Sequence, residues 1–158
     1  MPLLSNSIVM GPSGAGKTTL LNALTLDAHY GTATGSVKLN GHALTSEMFR
    51  EHCYIVQQFD KLWPYLTCRE SLRYAAQLYD VVAKEDEEAL VDEIITKMGL
   101  TGCADNPNAK LSGGQRRRLS IGIALVKQPI VLFLDEPTSY VVLLVDSLCV
   151  MECAPCMI

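Results

Sequence analysis

The sequence predicts an α/β fold, an open sheet of parallel strands into which a lobe of helices is inserted. Three observations carry the prediction. A short apolar strand at residues 7–10 runs straight into the glycine-rich loop Gly11-Pro12-Ser13-Gly14-Ala15-Gly16-Lys17-Thr18, and helix formers follow it. A continuous apolar run at residues 129–134, the pattern of a strand buried on both faces of a parallel sheet, delivers Asp135 and Glu136 at its end. Between the two, leucines, isoleucines and valines recur at helical spacing. With 158 residues, 49% of them hydrophobic, the chain is long enough to bury one core, so one domain is expected.

The elements follow in order. After the loop, residues 19–26 carry leucines at 20, 21 and 24, a helical spacing. Residues 36–44 alternate around Asn40-Gly41, the dipeptide that supplies two positive φ angles to a two-residue hairpin turn. Residues 53–56 read as a further strand, which Gln57 leaves where the pattern turns irregular and aromatic, through Trp63, Pro64 and Tyr65. Thr67-Cys68-Arg69-Glu70 has the spacing of a capping box and predicts a helix running toward Leu78. From Glu85, acidic residues precede Leu90, Val91, Ile94, Ile95 and Met98, a 3.6-residue repeat closed by Gly99. Ser112 is placed to cap a third helix reaching about Lys127.

Composition excludes several functions. The net charge of −4 repels a polyanion, so no nucleic-acid partner is expected. The basic run Arg116-Arg117-Arg118 is too short to track a phosphate backbone and is expected to decorate a solvated helix face. Six scattered cysteines, with no charged segment and apolar stretch opening the chain, predict reduced thiols rather than a secretory route. The apolar run at 140–145 is broken by Asp146 and Ser147, well short of the ~20 residues a membrane-spanning helix needs. No transmembrane segment is expected, and membrane attachment would come through a partner. Cys156 stands one place too late for a prenylation box.

The chemistry sits in three motifs. Gly11, Pro12, Ser13, Gly14, Ala15, Gly16, Lys17 and Thr18 fit G-x-x-x-x-G-K-[ST], with Thr19 next in the helix. The glycines let backbone amides turn inward around phosphates, Lys17 brings a cation to the β- and γ-phosphates, and the Thr18 hydroxyl suits a magnesium ion. Asp135 suits magnesium as well, directly or through water, and Glu136 is placed to polarise an attacking water as general base. In the third motif, Leu111-Ser112-Gly113-Gly114-Gln115, a serine hydroxyl and glycine amides at a helix start form another anion site.

That third motif, ahead of an Asp-Glu strand end, resembles the signature of ATP-binding cassette (ABC) ATPases. The phosphate loop, Gln57 in the glutamine-loop position, the signature and the Asp135-Glu136 strand stand in family order over residues 7–139. Leu39-Asn40-Gly41, Tyr54-Ile55-Val56-Gln57 and the stretch from Gln115 to Ile121 look most like the G subfamily, the White-type or pleiotropic-drug-resistance half-transporters. The resemblance implies a P-loop NTPase core of ABC type with an N-terminal β-hairpin region and a helical subdomain at about residues 60–128, within a partial ATPase domain at 1–139. It implies ATP and Mg2+ as cofactors, with Gln57 sensing the γ-phosphate and the metal. A head-to-tail dimer is implied too, in which the loop around Lys17 and the signature of a second nucleotide-binding domain sandwich each ATP. The partner would be the transmembrane domain of a transporter, holding the chain at the cytoplasmic face of a membrane, and Trp63 and Tyr65 either contact that partner or pack the helical lobe. A catalytically inactive interaction module and a soluble non-transport ABC protein are the alternatives.

The sequence also departs from the family pattern. There, Asp-Glu-Pro-Thr-Ser continues with Gly-Leu-Asp and, one strand later, a histidine that meets the γ-phosphate. Here Tyr140-Val141-Val142 follows Ser139, and His29, His42 and His52 all lie upstream. The aromatic residue that stacks adenine in the family has no counterpart ahead of the loop. The reading is therefore of a C-terminally incomplete core, with residues 140–158 an atypical apolar, cysteine-rich tail resembling read-through into an unrelated segment. Cys149, Cys153 and Cys156 are too few and too unevenly spaced for a zinc site. An incomplete sheet would expose an apolar edge and make the isolated chain poorly soluble.

Overall fold

The computed structural model describes residues 7–12, 14–26, 34–135 and 149–155. They fall into two compact units, one built from residues 7–58, 129–135 and 149–155, the other from residues 59–128.

The first unit is organised by a sheet. Strand β1 (Ser7–Gly11) leads through the glycine loop into helix α1 (Lys17–Leu24). Strands β2 (Lys38–Leu39) and β3 (His42–Ala43) form the hairpin, pairing Lys38 with Ala43 and Leu39 with His42. Asn40 and Gly41 have φ of 50° and 85°, the two positive angles the tight turn requires. Helix α2 (Ser46–His52) follows, which the sequence reading did not find; Thr45 caps it by accepting from the Met48 amide at 3.2 Å. Then come β4 (Cys53–Val56), β5 (Val131–Asp135) and β6 (Cys149–Pro155).

The sheet order is β1-β6-β5-β4, and all neighbours are parallel. Strand β5 is buried along its whole length, as its apolar run predicts. It begins after Pro129 because Gln128 turns the chain with φ 53°, and the Ile130 amide bonds the His52 carbonyl at 2.7 Å. Val131 and Phe133 join Leu21 of α1 and Cys53 of β4 in a core cluster, with Phe49 of α2 stacked on Phe133 at 6.0 Å between ring centroids. Residues 149–155 belong to the stretch set apart as a tail, yet they run inside the sheet with a strand on each side. Cys149-Val150-Met151 and Cys153-Ala154 give them the nearly continuous apolar character an inner parallel strand needs.

The second unit is helical. Helix α3 (Cys68–Tyr79) starts in a complete capping box: Thr67 Oγ1 accepts from the Glu70 amide at 3.1 Å, and the Glu70 carboxylate accepts from the Thr67 amide at 2.8 Å. Those bonds hold the Glu70 carboxyl below its ordinary range. Helix α4 (Glu87–Lys97) ends as predicted at Gly99, φ 61°, and helix α5 (Gly113–Val126) starts at Ser112. Gly122 of α5 packs against both of the other helices. A Cβ there would sit 3.1 Å from Ile94 Cγ2, 3.3 Å from Leu72 Cδ2 and 3.4 Å from Met98 Cγ. Outside this core, Arg69 bonds Asp92 at 2.6 Å and Arg73 bonds Glu88, tying the exposed flanks of α3 and α4. Cys68 and Cys103 are buried free thiols, and burial together with Cys103 pushes Cys68 up to about 11. Among the described residues no helix is long and apolar enough to cross a membrane.

Candidate nucleotide-binding site

The glycine loop lies at the junction of β1 and α1. Gly14 and Gly16 have φ of 80° and 84°, a left-handed backbone that only glycine adopts without strain. Space is not the reason, since an added Cβ would meet nothing within 4 Å at either position. Gly16 is the N-cap of α1, so no side chain caps this helix, and its first turn holds no acidic residue. The opening amides of α1 thus have no side-chain cap and no nearby carboxylate in their own turn, an arrangement suited to an anion. Lys17 folds back over the loop, its Nζ donating to the carbonyls of Gly11 at 2.9 Å and Pro12 at 3.0 Å.

Thr18, one residue further, points at the end of β5. Its Oγ1 donates to the Asp135 carboxylate, at 3.2 Å from Oδ2 and 3.4 Å from Oδ1, across 117 residues of sequence. Asp135 is only 5% exposed. A hydroxyl and a buried carboxylate in contact are the hard oxygen donors a magnesium ion takes, with water or phosphate oxygens completing its shell, so these residues fit that ion. Gln57 leaves β4 directly after Val56, which pairs with Leu134, and so emerges beside Asp135 at the carboxyl end of the sheet. Ser13, Glu136 and Cys156 lie outside the described residues.

The signature is the start of α5 in the helical unit. Ser112 caps it, Oγ accepting from the Gln115 amide at 3.3 Å, while Gln115 Oε1 accepts from the Ser112 amide at 2.8 Å. Leu111 is buried and anchors the turn; Ser112, Gly113 and Gly114 are exposed. The capped turn therefore presents the amides of the first helical positions and a serine hydroxyl to solvent.

One expectation changes and one pair of alternatives narrows. Arg117 does not lie on a solvated face: it is 4% exposed and meets Asp60 at 3.4 Å, and Arg116 donates to the Leu111 carbonyl at 2.7 Å. Consecutive helical residues point about 100° apart, so three in a row cannot all face water on a packed helix. Trp63 and Tyr65 do not pack the helical lobe as core residues, being 74% and 91% exposed.

The sequence model of the ABC transporter family matches residues 5–139. The chain is 43% identical over 138 residues to ABC transporter G family member 17 of Arabidopsis thaliana, an alignment covering 83% of this chain and 21% of that protein. It is 45% identical over 141 residues to ABC transporter G family member 1 of Dictyostelium discoideum, covering 83% and 18%. With ABC transporter G family member STR of Medicago truncatula it shares 40% over 138 residues, covering 83% and 17%. The chain thus spans roughly a fifth of the length of these relatives. A phosphate loop, a capped signature helix and a carboxylate strand in this order, and a family match over most of the sequence, lead to one assignment: the chain belongs to the ABC transporter family, G-type in its similarity, and carries ABC-type ATPase sequence.

Proposed function

We propose that this chain binds ATP with Mg2+ and hydrolyses it as the nucleotide-binding part of an ABC transporter, powering transmembrane transport. The observation that carries the reading is the meeting of Thr18 and Asp135 at 3.2 Å beside the loop that holds Lys17. In this reading residues 11–19 wrap the triphosphate, and Thr18, Asp135 and Gln57 hold the metal ion, which supplies charge neutralisation at the phosphates when bound. Glu136 accepts a proton from the attacking water as the new oxygen–phosphorus bond forms and the bond to the departing ADP oxygen breaks. The ATPase domain takes in residues 1–139, with the hairpin region near its start and a helical subdomain at about 60–128, and β6 of the atypical segment 140–158 joins its sheet. The exposed amides after Ser112 favour a head-to-tail pair, Leu111–Gln115 of one domain closing on the ATP held by the other. The exposed Trp63 and Tyr65 favour a transmembrane-domain partner that places the chain at the cytoplasmic face of a membrane.

The test is ATP binding by the purified chain with and without Mg2+. Lys17→Ala should weaken it about tenfold or more, which is the loss of one charge-assisted contact. Glu136→Gln should keep binding yet lower turnover, measured with a complete partner cassette, by about 100-fold or more. Absence of ATP binding in the unaltered chain, or indifference to Lys17→Ala, would sink the reading. Binding that persists without turnover in any pairing would mark the chain as an inactive module instead.

A further inference from the structure

In the helical unit, the segment after Gln58 is stitched to the stretch that leads into the signature. The Asn108 amide donates to the Leu66 carbonyl at 2.8 Å, the Ala109 amide to the Pro64 carbonyl at 3.0 Å, and Thr67 bridges Pro107 in antiparallel fashion. The Asn108 side chain completes the seam. It is 1% exposed, and its Nδ2 donates to the Trp63 carbonyl at 2.9 Å and to Ser71 Oγ at 2.8 Å. Its Oδ1 is buried with no partner among the described residues. A buried, unmet acceptor is destabilising, and an apolar side chain of similar size would avoid it. Asparagine here is accounted for by where its two donated bonds hold the chain.

The constraint is passed on at once. The Lys110 amide bonds Pro107 at 2.8 Å and the Leu111 amide bonds Asn108 at 3.2 Å, so a single tight turn joins Asn108 to the buried Leu111 and the Ser112 cap. Beyond the cap, Arg117 returns to Asp60 at 3.4 Å. The signature turn is thus gripped on both sides by segment 60–66.

We propose that Asn108 is a positioning residue for the signature, holding the Ser112 cap in register with the aromatic segment through the Trp63 carbonyl. Its consequence for turnover rests on the ATPase reading above; its geometric content does not. The 158-residue chain should be compared with Asn108→Asp, which keeps the shape but removes the donors, Asn108→Leu, which also removes the unmet acceptor, and Ser71→Ala, which leaves the Trp63 bond. Hydrogen exchange is followed at the amides of Ser112, Gln115 and Arg116, each bonded within the capped turn. Both Asn108 variants should exchange there about tenfold faster, and Ser71→Ala within about twofold of the parent chain, whatever the order of their melting temperatures. Mixed with a complete cassette, Asn108→Leu should lower kcat about tenfold and leave KM for ATP within about twofold, since the phosphate loop is untouched. Equal exchange in Asn108→Leu and Ser71→Ala, or rates that simply follow melting temperature, would overturn the proposal. A parent chain that binds no ATP would overturn the ATPase reading instead, and the exchange comparison would still decide this one.

Discussion

Thr18 and Asp135 are individually ordinary residues, a threonine opening a helix and an aspartate closing a strand. Their contact at 3.2 Å turns them into one unit, because a bound cation would take oxygens from both. Thr18→Ala and Asp135→Asn should therefore each weaken Mg-dependent ATP binding about tenfold, and the double variant should be little worse than either. Additive losses would show that the two side chains act separately. Motifs made these residues legible in the sequence, since spacing within the loop and position at a strand end are both local. Arg117 was less legible. Its partner Asp60 lies 57 residues away, and only the angular spread of a three-arginine run on one helix hints that one must turn inward.

At the scale of elements, caps and close contacts explain both what was readable and what was missed. Helices α3, α4 and α5 announce themselves by periodicity and by caps at Thr67 and Ser112. Helix α2 has only seven residues and is apolar at few positions, so Thr45 was its only strong signal. The α3 box should give a pH signature. Glu70 has a depressed carboxyl in the folded chain, so its contribution is present above the unfolded value near 4.5 and is lost as pH falls through the lower folded value. The stability gap between the parent chain and Glu70→Gln should close across that window, measured by denaturant unfolding at a series of pH values; a constant gap would assign the box no charge dependence. Gly122 makes a second case. Glycine inside a helix costs about 1 kcal/mol against alanine, yet Ile94, Leu72 and Met98 leave little room for more. Gly122→Val should destabilise by about 1–3 kcal/mol through overpacking, seen as a lower denaturant midpoint with the slope unchanged.

At the scale of the whole molecule, the site is assembled across a strand that the sequence did not connect to it. The phosphate loop hangs from β1 and Asp135 from β5, and these strands do not touch, because β6 lies between them and pairs with both. Local patterns identify strands but not their neighbours, so from sequence alone the segment 149–155 reads as an extraneous tail. The register fixes its role: Gly11 pairs with Pro155 and Asp135 with Cys153, so the distance from the loop to the carboxylate depends on the strand between. Val150 is an inner position of that strand, where proline removes a ladder bond and cannot be relieved at an edge. Val150→Pro should cost on the order of 2–3 kcal/mol and, beyond that, weaken Mg-dependent ATP binding, although no residue of β6 belongs to a nucleotide motif. Calorimetry of nucleotide binding at a temperature where the variant is still folded separates the two effects. Undiminished binding there would mean that the loop and Asp135 find each other without β6, and that the sheet order is not what sets the site.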